Sequence, residues 1–371
     1  MGLKTLLARR AVRAAHVLIV ETPGWQRARM ATEQAVSARG WRMADAPAEA
    51  DVLVVCGPPG PELRDVLDLV WDQLPGPRAR VSAAREGAVD AVLGEAAQIL
   101  RDEPYQRADA GGRSVDAPTG GGTAHDSGSD GGDGGMDHGG MGHGGMDMAP
   151  GGIALAEGAP DPDGLDLDVL HVPIGPVLSH WPAGLVLECT MQGDRVAQVH
   201  ARLLDDDAAH NDAGAAHEEV PVGLDGAGRG QAARCCDDAA RLLAVAGWDS
   251  AAAAARRTRG ALLAGAPAER CMVDLERLGT RVRRSVVLHW SLRGLTVPDP
   301  DGGYSDLSTV PGRSLAAARA ALGADMPPTK TQAISPGLLA QHVRGLDLAS
   351  VRLVVAGVGN AIGGESGAAD G

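Results

Sequence analysis

One segment dictates how this chain divides. From Gly131 to Gly152 it reads GGDGGMDHGGMGHGGMDMAPGG, and no packed core can form there. Glycine loses the most conformational freedom on ordering, and the segment offers no continuous apolar face. It is therefore expected to be a flexible linker, spanning 106–152, between folded halves at 1–105 and 153–371. Within it Met136, His138, Met141, His143, Met146 and Met148 recur every two or three residues. Thioether sulfur suits Cu(I), whereas imidazole suits copper, nickel and zinc. The tether is thus also a candidate metal site for copper, with nickel or zinc as alternatives; a plain spacer is the competing reading.

With 371 residues, 44% of them hydrophobic, the chain can bury a core on each side of that linker. It contains no Phe and only two Tyr, so both cores must be aliphatic. The formal net charge is −14 and no basic block exceeds a few residues, which argues against nucleic acid as a partner and disfavours anionic membranes. In the opening MGLKTLLARRAVRAAHVLIVE, Arg9, Arg10 and Arg13 interrupt the apolar run, and no stretch reaches the roughly 18 apolar residues of a membrane span. A cytoplasmic protein with no direct membrane span is expected. Cys56, Cys189, Cys235, Cys236 and Cys271 form no C-x-x-C pair, and their odd number fits a reducing compartment. Adjacent Cys235 and Cys236 would point about 100° apart on a helix, which keeps them from sharing one metal.

Strand and helix patterns alternate in the first half. His16 to Glu21 is a short apolar strand, Trp25 to Arg39 a helix, and Asp51 to Cys56 a second strand closed by Gly57, Pro58, Pro59 and Gly60. Pro61 to Leu74 places Leu63, Val66, Leu67, Val70 and Leu74 at helical spacing with Pro in the first turn. A third strand starts near Arg80, and a helix follows from about Gly87 to Arg101. This order predicts a small parallel sheet with helices on both faces. The strand-end turns carry neither a GxGxxG nor a Walker A loop, so a nucleotide site has little support. Cys56, ending an apolar strand, is read as packing.

Ala48 to Ala84, AEADVLVVCGPPGPELRDVLDLVWDQLPGPRARVSAA, resembles the small, cluster-bearing subunit of respiratory complex I (NADH:quinone oxidoreductase) and of nickel–iron hydrogenases. Leu63, Arg64, Trp71, Asp72, Gln73, Pro75 and Pro77 carry the likeness. The cluster ligands do not carry over. Glu21, Thr22, Pro23 and Gly24 stand where the family has a cysteine pair, and Ala83, Ala84 and Arg85 where its next cysteine should follow. An iron–sulfur cluster of that kind needs about four thiolates, and this half holds Cys56 alone, so no cluster is expected.

The second half resembles the companion large subunit. Ile174 to Leu203 reads as a hairpin, Leu185 to Met191 and Val196 to Leu203 flanking a turn at Gln192, Gly193 and Asp194. Gly175, Pro176 and Gly184 match the loop that lines the family's quinone pocket; His180 is out of register with its histidines and is read as a loop residue. Gln231 to Leu263 gives two Ala-rich helices broken at Gly247, with Arg234, Leu242, Leu243, Val245 and Trp248 as the buried stripe. Glu269 to Arg293 is expected as one long amphipathic helix resembling the family through Arg270, Leu275, Glu276, Arg277 and Leu278, with Arg281 replacing a family histidine. Leu338 to Val358 is similar to the large subunit's C-terminal helix and closing segment. No paired C-x-x-C motifs are present, which excludes a nickel–iron site.

The expected fold is an α/β N-terminal domain with a small parallel sheet, followed by an α+β, mostly helical C-terminal domain that opens on a β-hairpin. The resemblance implies a fused, shortened pair of subunits without redox ligands. The favoured expectation is a non-catalytic accessory or assembly protein whose partners are subunits of a complex-I-like or hydrogenase-like assembly, held through them at the inner face of the membrane. A copper- or nickel-binding metallochaperone or sensor is the first alternative, and a redox subunit of an NADH:quinone-oxidoreductase-like complex the second. An independent enzyme using His210, His217, Glu218 and Glu219 is a further reading, since a His-x6-His spacing among carboxylates suits zinc or nickel.

Overall fold

The computed structural model describes residues 12–116, 157–160, 166–205, 224–299, 303–323 and 333–363. In the first half β1 (His16–Glu21), β2 (Arg42–Met43), β3 (Val52–Cys56) and β4 (Ala79–Ala83) form a parallel sheet in the order β2-β1-β3-β4. The connections carry α1 (Gln26–Ala38) and α2 (Pro61–Gln73), and α3 (Val89–Ile99) follows β4. Every residue of β3 is buried, as a central strand covered on both faces requires. The pleat sorts its side chains: Val52, Val54 and Cys56 share a core with Ala28 and Val36 of α1 and Leu93 and Ala96 of α3. Leu53 and Val55 instead share one with Leu63, Leu67 and Val70 of α2. Each such buried aliphatic contributes about 1.5–3 kcal/mol.

A further helix, α4 (Glu103–Asp116), crosses the boundary drawn at residue 105. Its docking has a clear cause. Arg78 is buried beneath it and pairs with Asp109 at 2.9 Å. The Gln106 amide accepts from the Arg78 backbone N–H at 3.0 Å and donates to the Arg78 carbonyl at 2.9 Å. A buried guanidinium needs those partners, so residues well past 105 pack with the first half.

In the second half β5 (Glu157–Pro160), β6 (Asp166–Ile174), β7 (Leu185–Gln192) and β8 (Arg195–Leu203) form an antiparallel sheet in chain order. The expected hairpin is its β7-β8 pair, turning at Gly193 with φ 58°. Then come α5 (Leu224–Val245) and α6 (Asp249–Leu263), separated at Gly247 as the sequence indicates. The one expected long helix is divided. Glu269 to Arg293 becomes α7 (Ala268–Arg283) and α8 (Val286–Ser291), because Ser285 leaves the helical region and its hydroxyl caps the Leu288 N–H at 3.3 Å. After the antiparallel strands β9 (Thr296–Pro298) and β10 (Tyr304–Asp306) and helix α9 (Val310–Gly323), Leu338 to Val358 becomes α10 (Pro336–Val343) and α11 (Leu348–Val358). Gly345 turns between them at φ 82°, and Asp347 caps α11 through the Ser350 N–H at 2.9 Å.

The halves pack directly on each other. Val186 of β7 and Leu204 enter the core beneath α2. Asp205 accepts from the Glu62 and Leu63 N–H groups, at 3.1 Å each, so a carboxylate of one half satisfies the exposed amides at the start of α2 in the other. Ser179 adds a 2.6 Å hydrogen bond to Asp45.

Candidate functional site

The densest chemistry among the described residues lies in this seam. Glu21 ends β1; Arg29 and Glu33 sit one turn apart on α1; Asp237 and Arg241 sit one turn apart on α5; Arg259 projects from α6. Alanines let the helices approach closely enough to bury these charges. Ala233, Ala240, Ala252 and Ala255 are all at or near zero exposure, and Asp237 and Arg259 are 1% and 2% exposed.

The six charges close on themselves. Arg29 reaches Glu21 at 2.5 Å and also pairs with Glu33 and Asp237. Arg241 spans Glu21 and Asp237, both at 3.3 Å. Arg259 grips Asp237 with one Nη and Glu33 with the other, the latter at 2.7 Å. Gln26 donates to Asp237 at 3.2 Å. Burial alone would raise the Asp237 carboxyl, but Arg29, Arg241 and Arg259 outweigh it and hold it well below the usual carboxylate range. The same contest, won by Arg259 and Arg29, brings Glu33 down to about 2. For Arg29 burial is outweighed by Asp237, Glu33 and Glu21, and its guanidinium is held more firmly charged than usual.

Such carboxylates are poor proton acceptors near neutral pH, since efficient general bases titrate close to it. His180 beside them fares no better. It occupies the left-handed region at φ 62°, and burial, reinforced by Arg256, pushes its imidazole down to about 4. What the arrangement does well is fix the relative position of β1 and α1 against α5 and α6.

The end of β1 carries a carboxylate, Glu21, clasped by Arg29 and by Arg241 from the other half. Next to it the Thr22 hydroxyl donates to the Cys56 carbonyl at 2.9 Å. Cys56 itself is buried, its thiol pushed up to about 12 by desolvation. Cys189 and Cys235 are raised to about 11 by burial, and Cys236 and Cys271 are raised by the same cause. None of these is poised as a thiolate ligand.

The sequence-predicted metal residues, Met136, His138, Met141, His143, Met146 and Met148, lie outside the described residues, as do His210, His217, Glu218 and Glu219. Among the described residues no group of three or more His, Cys, Asp or Glu is placed to hold a metal ion. An open depression of about 570 Å³ lies over the β6-β7-β8 sheet. There His171 meets the Thr190 hydroxyl at 3.2 Å and Glu188 is occupied by Arg202 at 3.0 Å. The seam residues Arg29, Glu33, Asp237, Arg241 and Arg259 were not singled out by sequence reasoning. Their one local signal is a charged pair at i and i+4 on the stripe of a helix that should be apolar. Comparison with protein-family models, with curated proteins and with solved structures finds no match to this chain.

Proposed function

We propose that the chain is a non-catalytic accessory or assembly protein of a complex-I-like or hydrogenase-like complex, built as a fusion of a small-subunit-like and a large-subunit-like half. The observation that carries this reading is Glu21. At the strand end where the resemblance expects redox ligands, the chain invests a carboxylate in a buried ionic lock to Arg29 and Arg241. In this reading the electron-transfer position has become a structural joint, and the protein acts by presenting a fixed two-half surface to partner subunits. Metal binding by the Met/His linker is an added property.

The test is purification from the native host with associated proteins, followed by iron and metal analysis of the isolated chain. Subunits of a respiratory or hydrogenase-like complex should copurify, and anaerobic reconstitution with iron and sulfide should leave the visible spectrum flat. Stoichiometric iron with cluster absorbance would overturn the non-catalytic assignment in favour of a redox subunit. Recovery of copper or nickel with no such subunits would favour a metallochaperone or sensor.

A further inference from the structure

Helix α8 presents its apolar face outward. Val286, Val287 and Trp290 are 80%, 75% and 76% exposed. At about 100° per residue these three share an arc of about 100°, opposite the buried Leu288 and Leu292. Scattered exposed aliphatics need no explanation, but an exposed Trp joined to two valines on one short helix does.

The charge along the chain on either side of α8 runs against that of the whole molecule, although Asp306 faces His289 of α8 from another element. The whole chain carries −14, yet from Arg277 through Pro298 there is no Asp or Glu, against Arg277, Arg281, Arg283, Arg284 and Arg293. Arg284, just before α8, and Arg293, just after it, are exposed and form no ion pair among the described residues. Arg283 donates to the Thr280 hydroxyl at 3.2 Å and reaches Glu276 at a loose 3.6 Å. Arg281 is drawn off to stack on Trp248.

We propose that α8 is a docking face for an anionic lipid bilayer, with Val286, Val287 and Trp290 entering the headgroup boundary and Arg284 and Arg293 engaging lipid phosphates. Charge complementarity selects this occupant. An exposed tryptophan beside two valines, with a free arginine before and after its helix, is the chemistry of an interfacial membrane contact. Three projecting side chains also fall far short of the roughly 20–30 residues a side that a standard protein interface engages. Among the described residues no helix is long and apolar enough to cross a membrane, so the contact is peripheral. It is independent of the accessory-protein reading.

The test is cosedimentation of the full chain with vesicles of phosphatidylcholine containing roughly a third phosphatidylglycerol, against pure phosphatidylcholine, at low and high salt. Binding should require the anionic lipid and weaken with salt. Arg284→Gln and Arg293→Gln should each weaken it about five-fold, and the triple substitution Val286→Ser, Val287→Ser, Trp290→Ser should abolish it. All these side chains are exposed, so circular dichroism and the thermal midpoint should be unchanged. Brominated lipid should quench tryptophan emission in the wild type and not in Trp290→Ser. Absence of binding to anionic vesicles at low salt, or binding indifferent to the triple substitution, overturns the proposal. So does concentration-dependent self-association lost in the triple variant without vesicle binding, which assigns the face to a second copy.

Discussion

Glu33 on α1 receives the Arg259 guanidinium from α6 at 2.7 Å, joining side chains 226 residues apart in the chain. Both also contact the group around Asp237, so the pair is one edge of a closed ionic lattice and not an isolated bridge.

That lattice should be intolerant of losing its centre. Asp237 balances three arginines, and its removal leaves buried cations uncompensated, a change that costs about 3–5 kcal/mol. Asp237→Ala should therefore lower the denaturation midpoint sharply, by far more than Asp68→Ala, which breaks an exposed pair with Arg80 worth at most about 1 kcal/mol. Equal effects of the two substitutions in urea titrations would show that the seam carries no special share of the stability.

Acidity should act on the seam in two opposite senses. Glu33 is held at about 2 and Asp237 well below its ordinary value; both are lower than in the unfolded chain. Their contribution is complete above about pH 5 and is lost as pH falls towards 2. Asp238 runs the other way: burial first, then Asp237, push it up to about 6. The folded state then binds that proton more tightly than the unfolded chain, and stability declines as pH rises from about 4 through 6. His180, held down to about 4 by burial, opposes this: the unfolded chain binds its proton more tightly, so its contribution grows as pH rises from about 4 to 6.5 and offsets much of the Asp238 loss. Asp238→Asn, which keeps an acceptor for the Asn360 amide now at 2.8 Å, should remove the declining component, so that stability rises more steeply between about pH 4 and 6, and spare the acid limb below it. Denaturation midpoints across the pH range check this, and an unchanged slope over that interval in Asp238→Asn would refute the assignment.

Thiol chemistry should report the same burial. All five cysteines are buried and free, and Cys56 and Cys235 are pushed up to about 12 and about 11 by desolvation. A chromogenic disulfide reagent should therefore titrate almost no thiol in the native protein and all five in denaturant. Rapid native labelling of Cys56 in particular would contradict the packing around β3.

The linker is tested as a ligand set by itself. Four methionines and two histidines fall within thirteen residues from Met136 to Met148, more donors than one Cu(I) needs, and the glycines let the chain wrap the ion. A peptide covering Gly131 to Gly152 should compete for Cu(I) with a chromophoric chelator and retain it at acidic pH, because thioethers carry no competing proton. Replacing the four methionines should leave only a weaker, pH-dependent component from His138 and His143. Failure to compete with even a weak chelator would reduce the segment to a tether.

Local signals account for what the sequence showed of the fold. The apolar runs His16 to Glu21 and Asp51 to Cys56, the Pro61 helix start and the break at Gly247 all depend on neighbours in the chain, and each is found in place, the second strand beginning one residue later at Val52. The division of Glu269 to Arg293 was not legible, since hydrophobic periodicity continues through Ser285 while the hydroxyl cap redirects the backbone. β6 was passed over as well: its partner β7 is chosen by a register that composition does not reveal. The seam was least visible of all. Arg29 and Asp237 read separately as ordinary helix charges, and only three-dimensional packing brings them together across more than two hundred residues.

The lattice also divides its charge unequally. The first half contributes Glu21, Arg29 and Glu33, and so carries one surplus negative charge into the joint; the second contributes Asp237, Arg241 and Arg259, one surplus positive. Two copies of the same half brought together at this face would each present the same surplus, and neither could discharge it in a water-free contact. The charge pattern of the joint therefore favours the complementary half over a second copy of the same one.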